Sequence, residues 1–218
     1  MTLPRPRALL FDWDNTLVDT WAVIHHALNV TLEAMGHEPW TLEETRARVR
    51  ASARDSFPAL FGDRAEEAMD VFYDTYGREH LRRLEALPGV EEMLANLSGR
   101  DGLYLAVVSN KKGPIMRREA GHLGWDRIFR RLVGAEDAAA DKPDRAAVDL
   151  ALEGSGVAAG PEVWFVGDTD IDMQCAWAAG CSGVLLREAP PGAEEFDRYP
   201  PVRHFTTCAE LLSALTEL

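Results

Sequence analysis

The chain has 218 residues, 46% hydrophobic and 27% charged, so it can bury a sizeable core in one large domain or in a domain with an insertion. Its formal net charge of -13 argues against a nucleic-acid or anionic-membrane partner, because both require a basic protein surface. Its three cysteines, an odd number without C-x-x-C spacing, argue against a disulfide framework or a zinc site.

The N-terminal segment carries no targeting signal that we recognise. Its apolar run is too short for a signal peptide and leads directly into acidic residues. No window approaches the ~18 consecutive apolar residues of a membrane span. We therefore expect a cytoplasmic protein with no membrane partner, either a monomer or a homodimer.

The first predicted element is a buried strand that ends in acidic residues. The segment ALLFDW (8–13) is a short, nearly continuous apolar run, as a strand covered on both faces requires. Asp12 and Asp14 lie at its end, one residue apart, and Thr16 follows. Two carboxylates at such a short separation repel each other and resist losing their water. A cation, a proton or solvent must therefore compensate their negative charge.

Residues 18–87 contain no convincing strand and are predicted to form an all-helical module. Apolar residues recur at spacings of three and four over residues 17–35, which is typical of one helix face. A second helix is predicted over residues 42–53. Asp63 and Glu66 resemble a capping pair that opens a third helix.

Strands and helices alternate in the rest of the chain. Apolar runs predict strands at 103–110, 131–135, 163–168 and 182–186, and helices are predicted at 88–97, 115–123, 145–152 and 209–218. Such alternation is typical of a doubly wound parallel sheet. We therefore predict an α/β core of residues 1–17 and 88–218, interrupted by a helical cap domain of residues 18–87.

Polar side chains follow the other predicted strands. Ser109 and Asn110 end the second strand, Asp168 ends a later one with Asp172 shortly after, and Lys142 follows the weak strand between them. Ligands in an open parallel sheet bind beyond the carboxyl ends of the strands. We therefore expect these side chains to meet the Asp12–Asp14 pair at one edge of the sheet.

Carboxylates that converge in a partly dry site need a cation. Oxygen ligands without nearby His or Cys favour Mg²⁺ over zinc. Lys142, Ser109 and Asn110 add donors for phosphate oxygens. One carboxylate can then attack phosphorus, while the other protonates the leaving oxygen and later deprotonates water. The sequence thus predicts a magnesium-dependent phosphoryl-transfer site in which the aspartate pair divides these two tasks.

The motifs resemble those of the haloacid dehalogenase superfamily of phosphohydrolases. The matches are Asp12-x-Asp14-x-Thr16, Ser109 after a hydrophobic strand, Lys142 before Pro143, and Gly167-Asp168-x-x-x-Asp172. The likeness covers the whole chain, including the helical cap between the first two motifs, and is greatest to phosphoglycolate phosphatase-like members. It implies a Rossmann-like core and a phosphoric monoester hydrolase.

The resemblance also implies a role for each matched residue. Asp12 is the expected nucleophile, and Asp14 is the expected general acid/base. Mg²⁺ is expected on the Asp12 carboxylate, the Asp14 main-chain carbonyl and Asp168, with Asp172 in or just behind that shell. The phosphate-binding residues are expected to be Thr16, Ser109, Asn110 and Lys142. The implied substrate is a small phosphorylated metabolite, such as 2-phosphoglycolate, hydrolysed through an aspartyl-phosphate.

Specificity is expected from the cap, because a cap can close over the phosphate and exclude water. The cap segment contains four arginines: Arg46, Arg48, Arg50 and Arg54. An arginine can hold a substrate carboxylate or a second phosphate in bidentate geometry, although a solvated helix face also explains the cluster. Arg54 is our candidate, because it stands near the predicted end of the second helix.

Three further residues lie near the motifs. Trp13 is bulkier than the residue expected between the two aspartates, and it is a candidate for shaping substrate access. Lys111 and Lys112 follow the second motif. We expect both lysines to be solvated charges, with a role for Lys111 in the positive field of the site as the alternative.

Other functions stay open at this stage. A sugar-phosphate phosphomutase of the same superfamily shares every motif and differs in how water is kept from the aspartyl-phosphate. A dehalogenase is disfavoured by Asp14, because cleavage of a carbon–halogen bond has no leaving oxygen to protonate. A receiver-type phospho-acceptor signalling domain gathers similar groups but needs only ~100–130 residues and no cap. An inactive binding protein is disfavoured because no motif is missing.

Overall fold

The structure is a computed structural model that describes residues 3–49 and 52–217. The chain forms two compact units, one of Met1–Val18 with Ala86–Leu218 and one of Asp19–Glu85. Within the described residues, no helix is both long enough and apolar enough to cross a membrane.

The strands lie in two sheets. In chain order they are β1 (Ala8–Phe11), β2 (Val18–Asp19), β3 (Glu85–Ala86), β4 (Tyr104–Lys112), β5 (Arg131–Ala135), β6 (Val163–Gly167), β7 (Ser182–Leu186) and β8 (Arg203–Phe205). Six of them form a parallel sheet in the order β5-β4-β1-β6-β7-β8, while β2 pairs with β3. From β1 the strands are added first on one side, as β4 and β5, and then on the other, as β6 to β8, so β1 lies at the switch point of a doubly wound sheet.

The predicted α/β class and doubly wound parallel sheet are therefore confirmed. Two strand predictions need correction. The short strands β2 and β3 occur at the two ends of a segment predicted to contain no strand, and β8 was missed. Strands of two or three residues are too short to show a hydrophobic period, so only pairing with a neighbour reveals them.

The inserted unit is built from four described helices. They are α1 (Trp21–Ala34), α2 (Leu42–Arg48), α3 (Ala53–Phe61) and α4 (Ala65–Glu79), with short 3-10 turns at Gly62–Arg64 and His80–Arg82. Leu28 and Leu32 of α1, Phe57 and Phe61 of α3, and Ala68 of α4 share one apolar cluster. The C-terminal part of the face predicted over residues 17–35, with Leu28, Leu32 and Met35, thus packs within this unit.

The helix predicted over residues 42–53 is wrong in its second half. Helix α2 ends at Arg48, where Val49 turns to an extended conformation with ψ of 95°. A new helix, α3, then begins at Ala53, and the Ser52 hydroxyl caps it by accepting from the N–H of Asp55 at 3.3 Å. The extended Val49 ends the first helix, and the Ser52 cap starts the second, so one predicted helix becomes two.

The core unit carries the remaining helices. They are α5 (Val90–Ser98), α6 (Gly113–Leu123), α7 (Ala146–Leu152), α8 (Asp170–Ala178) and α9 (Cys208–Glu217). Leu10, Val108 and Phe165 of the central strands pack in one buried cluster with Val148 of α7 and Ala176 of α8. This packing covers one face of the central strands, and alternate residues such as Leu9 and Phe11 are buried as well, which explains the continuous apolar runs.

Candidate active site

The turn after β1 brings the first motif to the middle of the sheet. Asp12 follows β1 directly, and its N–H donates to the carbonyl of Val166 in the neighbouring strand at 2.8 Å. Asn15 takes the left-handed conformation, with φ of 61°, which asparagine tolerates better than most residues. The turn then lets the Thr16 hydroxyl donate to Oδ1 of Asp168 at 3.1 Å. Thr16, a predicted phosphate ligand, thus orients an acidic side chain of the site.

Lys142 joins two aspartates from different parts of the chain. Its Nζ donates to Oδ1 of Asp12 and to Oδ1 of Asp172, at 2.7 Å each. Its backbone is held by Asn110, whose Oδ1 accepts from the Lys142 N–H and whose Nδ2 donates to the Lys142 carbonyl, both at 2.9 Å. Asn110, also a predicted phosphate ligand, therefore fixes the lysine that contacts Asp12.

Asp172 is a buried hub behind the other acids. Its Oδ2 accepts from the N–H of Asp168 at 3.2 Å, and from the N–H and hydroxyl of Thr169 at 3.0 and 2.8 Å. Its Oδ1 accepts from Lys142. A Cβ on Gly167 would lie 2.3 Å from Cγ of Asp172, so glycine is required there. Asp172 thus holds both the loop after β6 and the lysine.

Three carboxylates lie close enough to share a metal ion. One carboxylate oxygen from each of Asp12, Asp168 and Asp172 lies within 4.8 Å of the other two. Among the described hydrogen bonds, the side chains of Asp12 and Asp168 accept only through Oδ1, whereas both oxygens of Asp172 are engaged. Asp12 and Asp168 therefore fit a hard cation such as Mg²⁺ directly, with Asp172 behind them. The Asp14 carboxylate is outside this cluster, and its predicted metal contact used the main-chain carbonyl.

Burial dominates the electrostatics of this cluster. Desolvation raises the pKa of Asp12 to about 6, with repulsion from Asp172 adding to it and Lys142 opposing it. Desolvation, with repulsion from Asp172 and Asp12, raises the pKa of Asp168 well above its ordinary value. Burial alone would lower the pKa of Lys142, but Asp12 and Asp172 outweigh it and raise that pKa. One ammonium therefore faces three carboxylates, an imbalance that a divalent cation relieves.

Ser109 lies in β4, beside the first motif. Phe11 pairs with Val107, so Ser109 stands two residues beyond the pair and Asp12 one. Ser109 is buried, and its Oγ accepts from the N–H of Lys111 at 3.2 Å. The sheet register therefore brings Ser109 next to the end of β1, and its role as a phosphate ligand stays a prediction.

Lys111 is buried, so the expectation that it is a solvated charge was wrong. Its Nζ donates to Oδ1 of Asp14 at 2.6 Å and to Oε2 of Glu119 at 2.7 Å. Glu119 was missed, although a signal exists: it lies on the buried face of α6 with Met116 and Ala120. A carboxylate at a helix position that otherwise requires an apolar residue indicates a buried ion pair.

Trp13 faces the protein interior, so its candidacy for shaping substrate access was wrong. Its side chain is fully buried and lies edge-on to Trp125, with ring centroids 5.6 Å apart. Its Nε1 donates to Oε2 of Glu119 at 2.6 Å. The large residue between the two aspartates therefore anchors the motif in the core.

The structure describes three of the four candidate arginines of the inserted unit. Arg46 and Arg48 lie over tryptophan rings, 5.6 and 4.6 Å from the ring centroids, and Arg50 lies outside the described residues. Arg54 stands in the first turn of α3, not at the end of the second helix, because that helix ends at Arg48. The Arg54 side chain is 40% exposed and lies 3.9 Å from Asp55.

Comparisons with known proteins agree with this architecture. The family model for haloacid dehalogenase-like hydrolases matches residues 9–186. The chain is 31% identical over 191 residues to a phosphoglycolate phosphatase of Pseudomonas syringae pv. tomato, covering 83% of this chain and 69% of that protein. It is 30% identical over 192 residues to phosphoglycolate phosphatase 1 of Pseudomonas aeruginosa, with the same coverage.

Solved structures show the same fold. A haloacid dehalogenase-like family hydrolase from Streptococcus pneumoniae superposes with a TM-score of 0.83 at 22% identity, covering 96% of this chain and 98% of that one. A structure described as a predicted phosphatase from Clostridium acetobutylicum gives a TM-score of 0.84 at 20% identity, covering 97% and 98%. At these identities the likeness establishes the fold alone.

Proposed function

Because the chain belongs to the haloacid dehalogenase-like hydrolase family and is a phosphatase of that family, we propose that it hydrolyses a small phosphorylated metabolite through an aspartyl-phosphate on Asp12. The contact that carries this proposal is the one between the buried Asp12 carboxylate and Lys142, whose Nζ lies 2.7 Å away. A carboxylate nucleophile must be oriented and kept ionised in a site that excludes water. A fixed ammonium does both.

The two aspartates of the first motif divide the reaction. Asp12 attacks phosphorus, and the bond between phosphorus and the ester oxygen breaks while Asp14 gives its proton to that oxygen. In the second step Asp14 takes a proton from water as that water attacks phosphorus. Inorganic phosphate leaves, and the carboxylate of Asp12 is restored.

The surrounding residues support these steps. Lys142 and Ser109 bind phosphoryl oxygens, while Thr16 and Asn110 hold Asp168 and Lys142 in place. Mg²⁺ is our proposed cofactor: the Asp12 and Asp168 carboxylates and the Asp14 main-chain carbonyl would hold it, and it would supply positive charge to the phosphoryl oxygens. Asp172 keeps Lys142 and the loop after β6 in register behind it.

A small, doubly anionic ester such as 2-phosphoglycolate is the substrate we propose. The curated relatives described above are named phosphoglycolate phosphatases, which supports this class. The chain carries a formal net charge of -13, so an anionic substrate needs local positive charge. We assign that charge to the metal, Lys142 and Arg54, with Arg54 binding the carboxylate of the substrate.

A substrate screen tests the reaction class. Purified protein is incubated with 2-phosphoglycolate, sugar phosphates and neutral alkyl phosphates, with Mg²⁺ or with excess EDTA, and released phosphate and organic products are both measured. We expect phosphate release that depends on Mg²⁺ and is fastest with 2-phosphoglycolate. Isomerised sugar phosphate without phosphate release would identify a phosphomutase, and rates unchanged by EDTA would exclude the metal.

Trapping the intermediate tests the nucleophile. Quenching during turnover and reducing with borohydride converts an acyl phosphate to an alcohol, which mass spectrometry locates by residue. We expect the alcohol at position 12 in the wild-type protein and no reduced residue in Asp12→Asn. The alcohol at the position of another aspartate would overturn the assignment.

A further inference from the structure

A buried chain of polar contacts connects Asp14 to helix α6. The Lys111 ammonium lies 2.6 Å from Oδ1 of Asp14 and 2.7 Å from Oε2 of Glu119. The same Oε2 accepts from Nε1 of Trp13 at 2.6 Å. Trp13 neighbours Asp14 in sequence, so the contacts close a loop from the first motif through β4 and α6 and back.

The backbone at Lys111 is held tightly. The β4–β5 register shifts between Val108 and Lys112. A Cβ added to Gly134 in β5 would lie 2.6 Å from the carbonyl oxygen of Lys111, so the two backbones are in close contact. The Ser109 hydroxyl accepts from the Lys111 N–H at 3.2 Å. The ammonium therefore extends from a fixed point.

Exposure changes along the chain of contacts in one direction. The Glu119 side chain is 0% exposed, that of Lys111 is 5% exposed and that of Asp14 is 21% exposed. A carboxylate as buried as Glu119 requires a paired charge, and Lys111 supplies it. The ion pair of Lys111 and Glu119 is thus anchored in the core, and its ammonium contacts Asp14, which is the partly exposed carboxylate of the two that Lys111 binds.

We propose that Lys111 and Glu119 are positioning residues for Asp14, and this inference rests on the acid/base role proposed above. Lys111 holds Oδ1 of Asp14, which fixes the carboxyl plane and directs Oδ2 to the leaving oxygen. Glu119 holds Lys111 in place, and Trp13 holds Glu119. Neither Lys111 nor Glu119 touches the reacting atoms. The proton passes from Asp14 to the ester oxygen, which keeps the electron pair of the broken bond to phosphorus.

This role predicts dependence on the leaving group. A basic alkoxide needs the proton, whereas p-nitrophenolate leaves without one. A displaced Asp14 therefore slows 2-phosphoglycolate more than p-nitrophenyl phosphate. A lysine that bound the substrate phosphate would instead raise KM for both compounds equally.

The experiment compares Glu119→Gln and Lys111→Met with a matched control. Glu153→Gln also removes a paired carboxylate, but its side chain is 68% exposed in a surface ion pair with Arg131. For each protein kcat and KM are measured on 2-phosphoglycolate and p-nitrophenyl phosphate with Mg²⁺. We expect the kcat for 2-phosphoglycolate divided by the kcat for p-nitrophenyl phosphate to fall about tenfold or more in both test variants, with KM nearly unchanged. Lys111→Arg is expected to recover part of the ratio, and Glu153→Gln to leave it unchanged.

Asp14→Asn separates the inference from the proposed function. If Asp14→Asn itself leaves the ratio unchanged, the acid/base assignment fails and the inference fails with it. If Asp14→Asn lowers the ratio while Glu119→Gln and Lys111→Met leave it unchanged or slow both substrates equally, the positioning role alone is wrong. In the double variant Asp14→Asn/Glu119→Gln, we expect no fall beyond that of Asp14→Asn. Should Glu119→Gln fail to fold, Lys111→Met and Trp13→Phe decide by the same ratio: a fall supports the positioning role, and an unchanged ratio refutes it.

Discussion

The core unit and the inserted unit differ in whether their charged side chains are buried. In the core, ionic side chains are buried together, as in the cluster of Asp12, Lys142 and Asp172 and in the pair of Lys111 and Glu119. In the inserted unit, no Asp, Glu, Lys or Arg among the described residues is buried. Buried charge is costly and needs precise partners, so its concentration in one unit indicates where the chemistry takes place.

The inserted unit, by contrast, is held together by ordinary apolar packing. Phe57 and Phe61 meet edge-on, with ring centroids 5.0 Å apart, and the buried polar groups of this unit include the hydroxyls of Thr31 and Thr45. Substitution of the buried ionic residues near Asp12 in the core unit is thus expected to lower the rate with every substrate tested, although by different factors. In the inserted unit, substitution of Arg54 is expected to change only the preference among substrates.

The largest effect is expected from the proposed nucleophile. Asp12→Asn should lower kcat by about 10³-fold or more with every substrate, or about 4 kcal/mol of barrier, because no carboxylate remains to accept the phosphoryl group. Asp101→Asn, an exposed aspartate of the same unit, serves as the control and should keep wild-type activity. Near-normal turnover by Asp12→Asn would rule out this assignment.

Asp14→Asn should give a smaller loss that depends on the substrate. We expect kcat to fall about 10²-fold with 2-phosphoglycolate and less than about tenfold with p-nitrophenyl phosphate. The measurement is steady-state kinetics on both esters at saturating Mg²⁺. Equal losses on the two esters would mean that Asp14 acts through geometry and not through its proton.

Metal binding should stabilise the protein in a pH-dependent way. Burial raises the pKa of Asp12 from 3.8 to about 6 in the folded protein, so between these values the folded state holds a proton that the unfolded state has lost. The contribution of Asp12 to metal-free stability should therefore fall as pH rises through this window, by at most about 3 kcal/mol. Mg²⁺ binds the ionised form and should reverse this loss.

Thermal unfolding checks this linkage. We expect Mg²⁺ to raise the unfolding temperature clearly at about pH 7.5 and little at about pH 4.5, where protons compete for the same oxygens. Asp168→Asn removes a proposed ligand and should abolish the stabilisation by Mg²⁺. An equal shift at both pH values would argue for binding elsewhere.

The smallest effect is expected in the inserted unit. Arg54→Ala should lower kcat/KM for 2-phosphoglycolate about tenfold relative to a neutral alkyl phosphate, because a charge-assisted contact to the carboxylate is lost. Arg48→Ala is the matched control, since Arg48 lies over the Trp40 ring and should not affect the ratio. An unchanged ratio in Arg54→Ala would remove Arg54 from the site, and a wild-type preference for neutral esters would refute the substrate class.

Local patterns determined most of the fold. The mainly apolar runs that became β5 and β7 match their predicted bounds, because buried strand residues are apolar even where the first residue of the strand is polar. The acids after β1 and β6 were found because polar residues directly after buried strands are conspicuous in sequence. Periodic patterns need several consecutive residues to be visible. They therefore did not reveal the three-residue strand β8 or the break between α2 and α3.

Contacts between distant residues were decided by the tertiary structure alone. Lys111 and Asp14 are 97 positions apart, yet they form an ion pair, and the backbone of Lys111 is in close contact with β5 at Gly134. The sequence by itself therefore identified a doubly wound sheet and the acids, hydroxyl and lysine at its edge. Strand register and helix packing alone decided which of these groups pair with one another. They also decided that Lys111 and Glu119 are buried beside them. Ion pairing depends on distance in space and not on spacing along the chain.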